Sequence, residues 1–218
     1  ISEQSSLSSL QASSTRIVSG SAVYQAKFNS GDWSGSLESL PISAGGVIGA
    51  PTWNAASASL NAGTVNPDSR VIFTMRSDTR QPVPFRYADL DVAQKAALDR
   101  LPAGTVDNRG VERVAYLRGD GSKEGVGAAQ FRRRVSTVLG DIVNSSPAYV
   151  GKPGAGIGSA SYLSFISTYA NRTPMIYVGA NDGMLHGFSA VNGQEVFAYV
   201  PTPVIPSLNE LPMQDYQH

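Results

Sequence analysis

Imidazole or thiol chemistry in this chain would run through very few residues. His186 and His218 are its only imidazoles, and cysteine is absent. The lack of cysteine removes thiolate nucleophiles, thiolate metal sites and a disulfide framework together. No Gly-x-Ser-x-Gly elbow is present to activate a serine. His186 falls in an alternating run close to a turn and reads as a strand residue rather than a general base. The glycines of Gly154–Gly158 lack the Lys-Ser/Thr of a phosphate loop, and no Rossmann pattern follows them. Asp120, Ser122 and Glu124 place oxygen ligands at alternate positions, with Gly125 sixth, as in a calcium loop. The twelfth position is Phe131, where the bidentate carboxylate should stand, so no metal is expected in this segment. Arg118-Gly119-Asp120 is the one tripeptide with a recognition chemistry. It could offer a cation and an anion to an integrin-like receptor, or simply form a Gly-Asp-Gly turn with Asp120 on backbone amides.

The elements that must position these residues are mostly strands. Met175–Val200 reads as three strands joined by two tight turns. Asn181-Asp182-Gly183 and Asn192-Gly193 supply the positive φ angles of hairpins. Met184, His186 and Phe188 alternate in the middle strand, and Val196, Ala198 and Val200 in the third. Such a meander cannot bury both faces alone, so it must stack on similar units or on a second sheet.

Further back, residues 1–14 are Ser-rich and read as a linker, and 15–218 as one domain. Arg16–Phe28 and Trp33–Leu40 form an expected hairpin about Asn29–Asp32. Trp33 and Trp53 are expected core anchors. Trp53–Leu60 fits either a strand or a helical turn. Arg70–Met75 is a strand, and Thr79–Pro84 a Pro-punctuated connection. Asp89–Leu101 is the one inserted helix, capped by Asp91 with Gln94 three residues on and stopped by Pro102. Ala115–Gly127 reads as a surface loop and Pro153–Tyr169 as a long insertion. Phe131, Val135, Val138 and Leu139 share a helical face, beside a solvated or ion-paired stripe of Arg132, Arg133 and Arg134. Pro201–His218 should be extended and irregular.

Lys plus Arg (17) balances Asp plus Glu (17), so no global field draws the chain to nucleic acid or an anionic membrane. No apolar run approaches the roughly 20 residues of a bilayer span. Because Ile1 is not an initiator methionine, the chain is expected to be a processed or excised piece of something longer.

The order strand, Asp-Gly, Leu-x-x-Phe, Asn-Gly, x-x-x-Phe resembles the blade repeat of quinoprotein-type β-propellers, with Phe197 where Trp usually stands. Leu139–Pro147 ahead of it (LGDIVNSSP) and Pro201 after it narrow the likeness. The stretch from Tyr116 to Pro201 resembles the C-terminal propeller of the PilC/PilY family of type IV pilus tip-associated adhesins and biogenesis factors. A looser likeness covers Tyr24–Asp78. The fold expected is all-β, a partial β-propeller with one inserted helix and long loops, completed by further blades or another chain. The resemblance implies a non-enzymatic protein of the pilus tip or outer membrane, at the cell surface. It would support pilus assembly, adhesion and twitching motility by docking minor pilins and a host-cell surface receptor. Family members often carry a calcium loop, so calcium is expected elsewhere in the full-length protein and no cofactor in this segment. Related propellers have a similar Tyr-x-Arg-Gly-Asp stretch where the propeller begins, which adds weight to the turn reading of Arg118–Asp120. Two other readings stay open: a quinoprotein-type dehydrogenase, which would need a calcium-and-quinone pocket, and an outer-membrane assembly scaffold without adhesion.

Overall fold

The computed structural model describes residues 5–12, 21–154 and 156–216. Two sheets organise them. The first has strand order β1-β2-β3-β4, from Ser5–Ala12, Ala22–Asn29, Ser34–Pro41 and Trp53–Asn54, and is antiparallel throughout. The second has order β6-β5-β10-β9-β8-β7. Its consecutive strands β7 (Ala148–Val150), β8 (Met175–Ala180), β9 (Met184–Ser189) and β10 (Glu195–Val200) form an antiparallel meander. Four-stranded meanders are the units of a propeller. Strand β5 (Ile72–Met75) adds to β10 in parallel, and β6 (Pro82–Pro84) closes that edge. Prolines at β6 blunt an edge that would otherwise template further pairing.

The expected turns form where the sequence placed them. Gly183 and Gly193 take φ of +83° and +72°, joining β8 to β9 and β9 to β10. The two sheets then pack face to face. Tyr24, Ala26 and Leu37 of the first meet Ile176, Val178 and Phe188 of the second in one buried cluster. Tyr24 stacks between Trp53 and Tyr149, at centroid distances of 5.9 and 5.5 Å, and the Trp53 indole donates to the Ala190 carbonyl. Farther along the same face of the six-stranded sheet, Ile72, Ala198 and Val200 are covered by helices α2 (Val92–Leu98) and α3 (Gly110–Arg118). The chain from a 3₁₀ turn at Thr202–Ser207 adds Ile205, Leu208 and Leu211 to that cluster. The other face stays open. Phe73, Tyr177, Phe197 and Tyr199 lie along it as a half-buried row of rings 5.2 to 6.1 Å apart.

Helix α2 begins as expected. Asp91 accepts the Gln94 amide while the Gln94 side chain accepts the Asp91 amide, a reciprocal capping box. Several expectations are corrected. Ser5–Ala12, inside the stretch read as linker, is strand β1 and pairs with β2; the rest of 1–14 lies outside the described residues. One inserted helix becomes four among the described residues, since α1 (Ala55–Ser59), α3 and α4 (Ala160–Thr168) also form. Residues 131–139 are not helical, because their amides bond distant carbonyls: Phe131 to Lys123, Arg132 to Pro212 and Val138 to Leu60. Trp33 is no core anchor. It sits at φ +54° in the β2–β3 turn, 38 % exposed, and its ring stacks on Phe28. The segment after Pro201 is turned and partly buried rather than extended.

Candidate functional site

The most concentrated chemistry is a chain of ionised groups enclosed between the two buried clusters. Arg70, just before β5, makes a two-pronged contact with Glu195 of β10, Nε to Oε2 at 2.7 Å and Nη2 to Oε1 at 2.9 Å. Glu195 Oε1 lies 2.8 Å from His186 Nδ1 on β9. His186 Nε2 lies 3.1 Å from both carboxylate oxygens of Asp182, in the β8–β9 turn. Asp182 in turn accepts the Gly140 amide at 3.0 Å and the Met184 amide. Two cations and two anions thus alternate inside the protein.

A β-bulge makes this possible. Glu195 opposes Phe188, while Phe197 opposes Gly187, so Val196 is the extra residue. In a regular strand Glu195 would share a face with Phe197 and Tyr199. The bulge reverses the parity and turns its carboxylate inward beside His186. Gly187 leaves room on the opposite side, since a Cβ there would stand 2.8 Å from the Phe197 ring.

Burial disfavours a charged His186, but the Asp182 charge and the hydrogen bonds to Asp182 and Glu195 outweigh it and lift the imidazolium to about 9. Burial likewise opposes ionised Glu195, yet the bonds from His186 and Arg70 hold it down at about 2. Asp182 is also lowered, against its burial, by His186. Both imidazole nitrogens are therefore committed donors, and the ring is fully enclosed. The arrangement ties β9 and β10 to the β8–β9 turn and to the residue that leads into β5.

A pH dependence follows. The raised histidine stabilises the fold fully below its ordinary value of 6.5, and that stabilisation is lost as pH rises through about 9. The depressed Glu195 stabilises it above 4.5 and loses this as pH falls toward about 2. Melting temperature should therefore plateau between those inner limits and decline on the alkaline side. His186→Gln should flatten the alkaline decline; an unchanged slope in that variant would refute the assignment.

Burial differs along Arg118-Gly119-Asp120. Arg118 ends α3 inside the protein, 4 % exposed, and donates to the carbonyls of Pro67, Arg70 and Phe85. Burial, with the neighbouring Arg86 and Arg70 cations, lowers it to about 10. Gly119 is the left-handed cap of α3 at φ +115°, and Asp120 accepts the Ser122 amide. The tripeptide thus has an enclosed cation and a half-exposed carboxylate, with Asp120 in a turn on the Ser122 amide. In the calcium-like loop, Glu124 is held by Arg134 through Nε and the backbone amide. No His, Asp, Glu or Cys group suited to a metal ion occurs among the described residues. Arg134 also lies over the Tyr116 ring and Arg132 over Tyr216, so two of the three consecutive arginines are tied down and Arg133 alone is exposed. His218 falls outside the described residues.

Sequence reasoning singled out His186 but missed its partners. Asp182 and Glu195 flank it locally, whereas Arg70 comes from 125 residues before Glu195, and no spacing links them.

The comparisons with known proteins agree with this architecture. Residues 139–208 match the PilY1 beta-propeller domain, a span that includes the whole β7–β10 meander. The chain is 36 % identical over 218 residues to a type IV pilus biogenesis factor PilY1 homolog of Xylella fastidiosa strain Temecula1, covering 96 % of this chain and 16 % of that protein. It is 38 % identical over 213 residues to the type IV pilus biogenesis factor PilY1 of Pseudomonas aeruginosa strain PAK, covering 89 % and 17 %. The chain thus spans about one-sixth of the length of these relatives. No solved structure matches it significantly.

Proposed function

Because the chain is a relative of the PilY1 proteins and carries their β-propeller domain at residues 139–208, we propose that it serves as part of a type IV pilus biogenesis factor. Its work is scaffolding rather than catalysis. It holds a rigid frame at the cell surface, at the pilus tip or outer membrane, whose loops dock pilus components such as minor pilins and support twitching motility. The observation that carries this reading is the homology to PilY1 along about nine-tenths of the chain. The stacked four- and six-stranded sheets support it, as does the enclosure of His186, the chain's best acid–base candidate. No helix among the described residues is long and apolar enough to cross a membrane.

Deleting the gene should abolish surface pili in electron micrographs and the twitching zone on agar, with both restored by the wild-type gene. Normal piliation and motility in the deletion strain would refute the proposal. The burial of Arg118 favours assembly over adhesion through the Arg-Gly-Asp tripeptide. Asp120→Glu is accordingly expected to leave host-cell adhesion unchanged in counts of attached bacteria, and a severalfold loss would restore the receptor reading.

A further inference from the structure

Between β7 and β8 the chain leaves the sheet for residues 151–174, and this excursion carries the most unusual surface in the molecule. Helix α4 has no buried residue. Its Ser159 cap accepts the Tyr162 amide, so the helix is locally well started. Tyr162, Phe165, Ile166 and Tyr169 recur at i, i+3, i+4 and i+7, with Leu163 beside them. The aromatic rings form a ladder, 5.7 Å from Tyr162 to Phe165 and 4.8 Å from Phe165 to Tyr169. Leu163, Phe165 and Tyr169 are 55, 40 and 44 % exposed. The opposite face is Ala160, Ser161, Ser164, Ser167 and Thr168. A short amphipathic helix whose apolar side faces water is stable only while little else is at stake, and it gains by burial in a complementary groove.

Charge narrows what that groove can be. From Ile142 to Asn181 there is no Asp or Glu, while Lys152 and Arg172 stand at either end of the excursion. The Arg172 guanidinium donates to the Gly151 carbonyl and closes the base of the loop. An interfacial helix of a lipid surface would carry its Lys and Arg along the polar face. Here that face has only small uncharged residues, which let a protein wall approach closely, and the cations sit at the rim. We propose that α4 is a docking peg, inserted aromatic face first into an apolar groove rimmed by carboxylates on a pilus subunit. This rests on the pilus reading above and names the surface that would serve it.

The test uses full-length protein and pili sheared from the same strain. Wild-type protein should co-sediment with the pili, and Leu163→Glu/Phe165→Glu should reduce this about tenfold or more, as loss of anchor residues does. Ser161→Glu/Ser167→Glu, on the far face, should bind at least half as well as wild type. Melting temperature should be unchanged in both, since α4 buries no side chain. Equal sedimentation of the Leu163/Phe165 variant would overturn the proposal. So would a large fall in its melting temperature, which would place α4 against the protein's own chain. Binding of wild type, but not that variant, to vesicles of phosphatidylethanolamine and phosphatidylglycerol would overturn it in favour of a membrane. Failure of wild type itself to bind pili would remove the pilus reading and this inference with it.

Discussion

Gly35→Ala should destabilise the protein by on the order of 3 kcal/mol, the range of a forced overpacking with no flexible side chain to yield. Gly35, near the start of β3, donates its amide to the Leu139 carbonyl at 3.0 Å. A Cβ there would stand 2.0 Å from the Gly140 carbonyl oxygen, which is backbone. Gly140 is equally confined, since its own Cβ would meet the Asp182 amide nitrogen at 2.4 Å. The strip Leu139-Gly140-Asp141 therefore threads between the first sheet and the β8–β9 turn, with a glycine at each point of closest approach. Displacing it would also remove the Gly140 amide from Asp182 and loosen the ionic chain. The comparison is Gly154→Ala, where nothing lies within 4 Å of the added carbon and the change should be within about 0.5 kcal/mol. Urea denaturation of the two variants distinguishes them. Equal midpoints would show that the two sheets are not locked together at this strip.

Glu195→Gln should cost about 3 kcal/mol although it preserves shape. The loss is electrostatic. Removing one carboxylate leaves the Arg70 and His186 cations facing Asp182 alone, and Arg70 is enclosed with its guanidinium also bonded to the Arg118 carbonyl. An uncompensated buried charge is far more expensive than the net worth of the pair that held it. The imidazolium of His186 should also become easier to deprotonate, since one of the two anions that raise it is gone. NMR titration of the His186 ring in both proteins checks this directly. A variant that unfolds at the wild-type midpoint, with an unshifted histidine, would show that Glu195 is not paired as described. The effect should appear in stability and in one titration, independent of any added small molecule.

The legible parts of the molecule are those governed by neighbours in sequence. Asp182-Gly183 and Asn192-Gly193 turn because glycine accepts positive φ at little cost, and alternation does the rest for β8, β9 and β10. Asp91 and Gln94 set the start of α2 through a box that closes within four residues. The need for a further layer, similar units or a second sheet, was also readable, because one meander cannot cover its own apolar face.

Other features depend on contacts that no local pattern encodes. Residues 131–139 have a helical spacing of apolar groups, but bonds to Lys123, Pro212 and Leu60 draw their amides away. Arg118 looks like a surface recognition residue until carbonyls from three distant positions enclose it. Ser5–Ala12 has the composition of a linker, yet the edge of β2 gives its backbone a ladder to join. Glu195 faces inward only because Val196 is bulged, and a period of two read along the strand places it on the wrong side. In each case a backbone or side-chain polar group found a partner far along the chain, and the free energy of satisfying it inside the protein exceeded the local preference. Turns, caps and alternation were therefore determined by the sequence itself, whereas the ionic core and the burial of Arg118 were decided by tertiary packing.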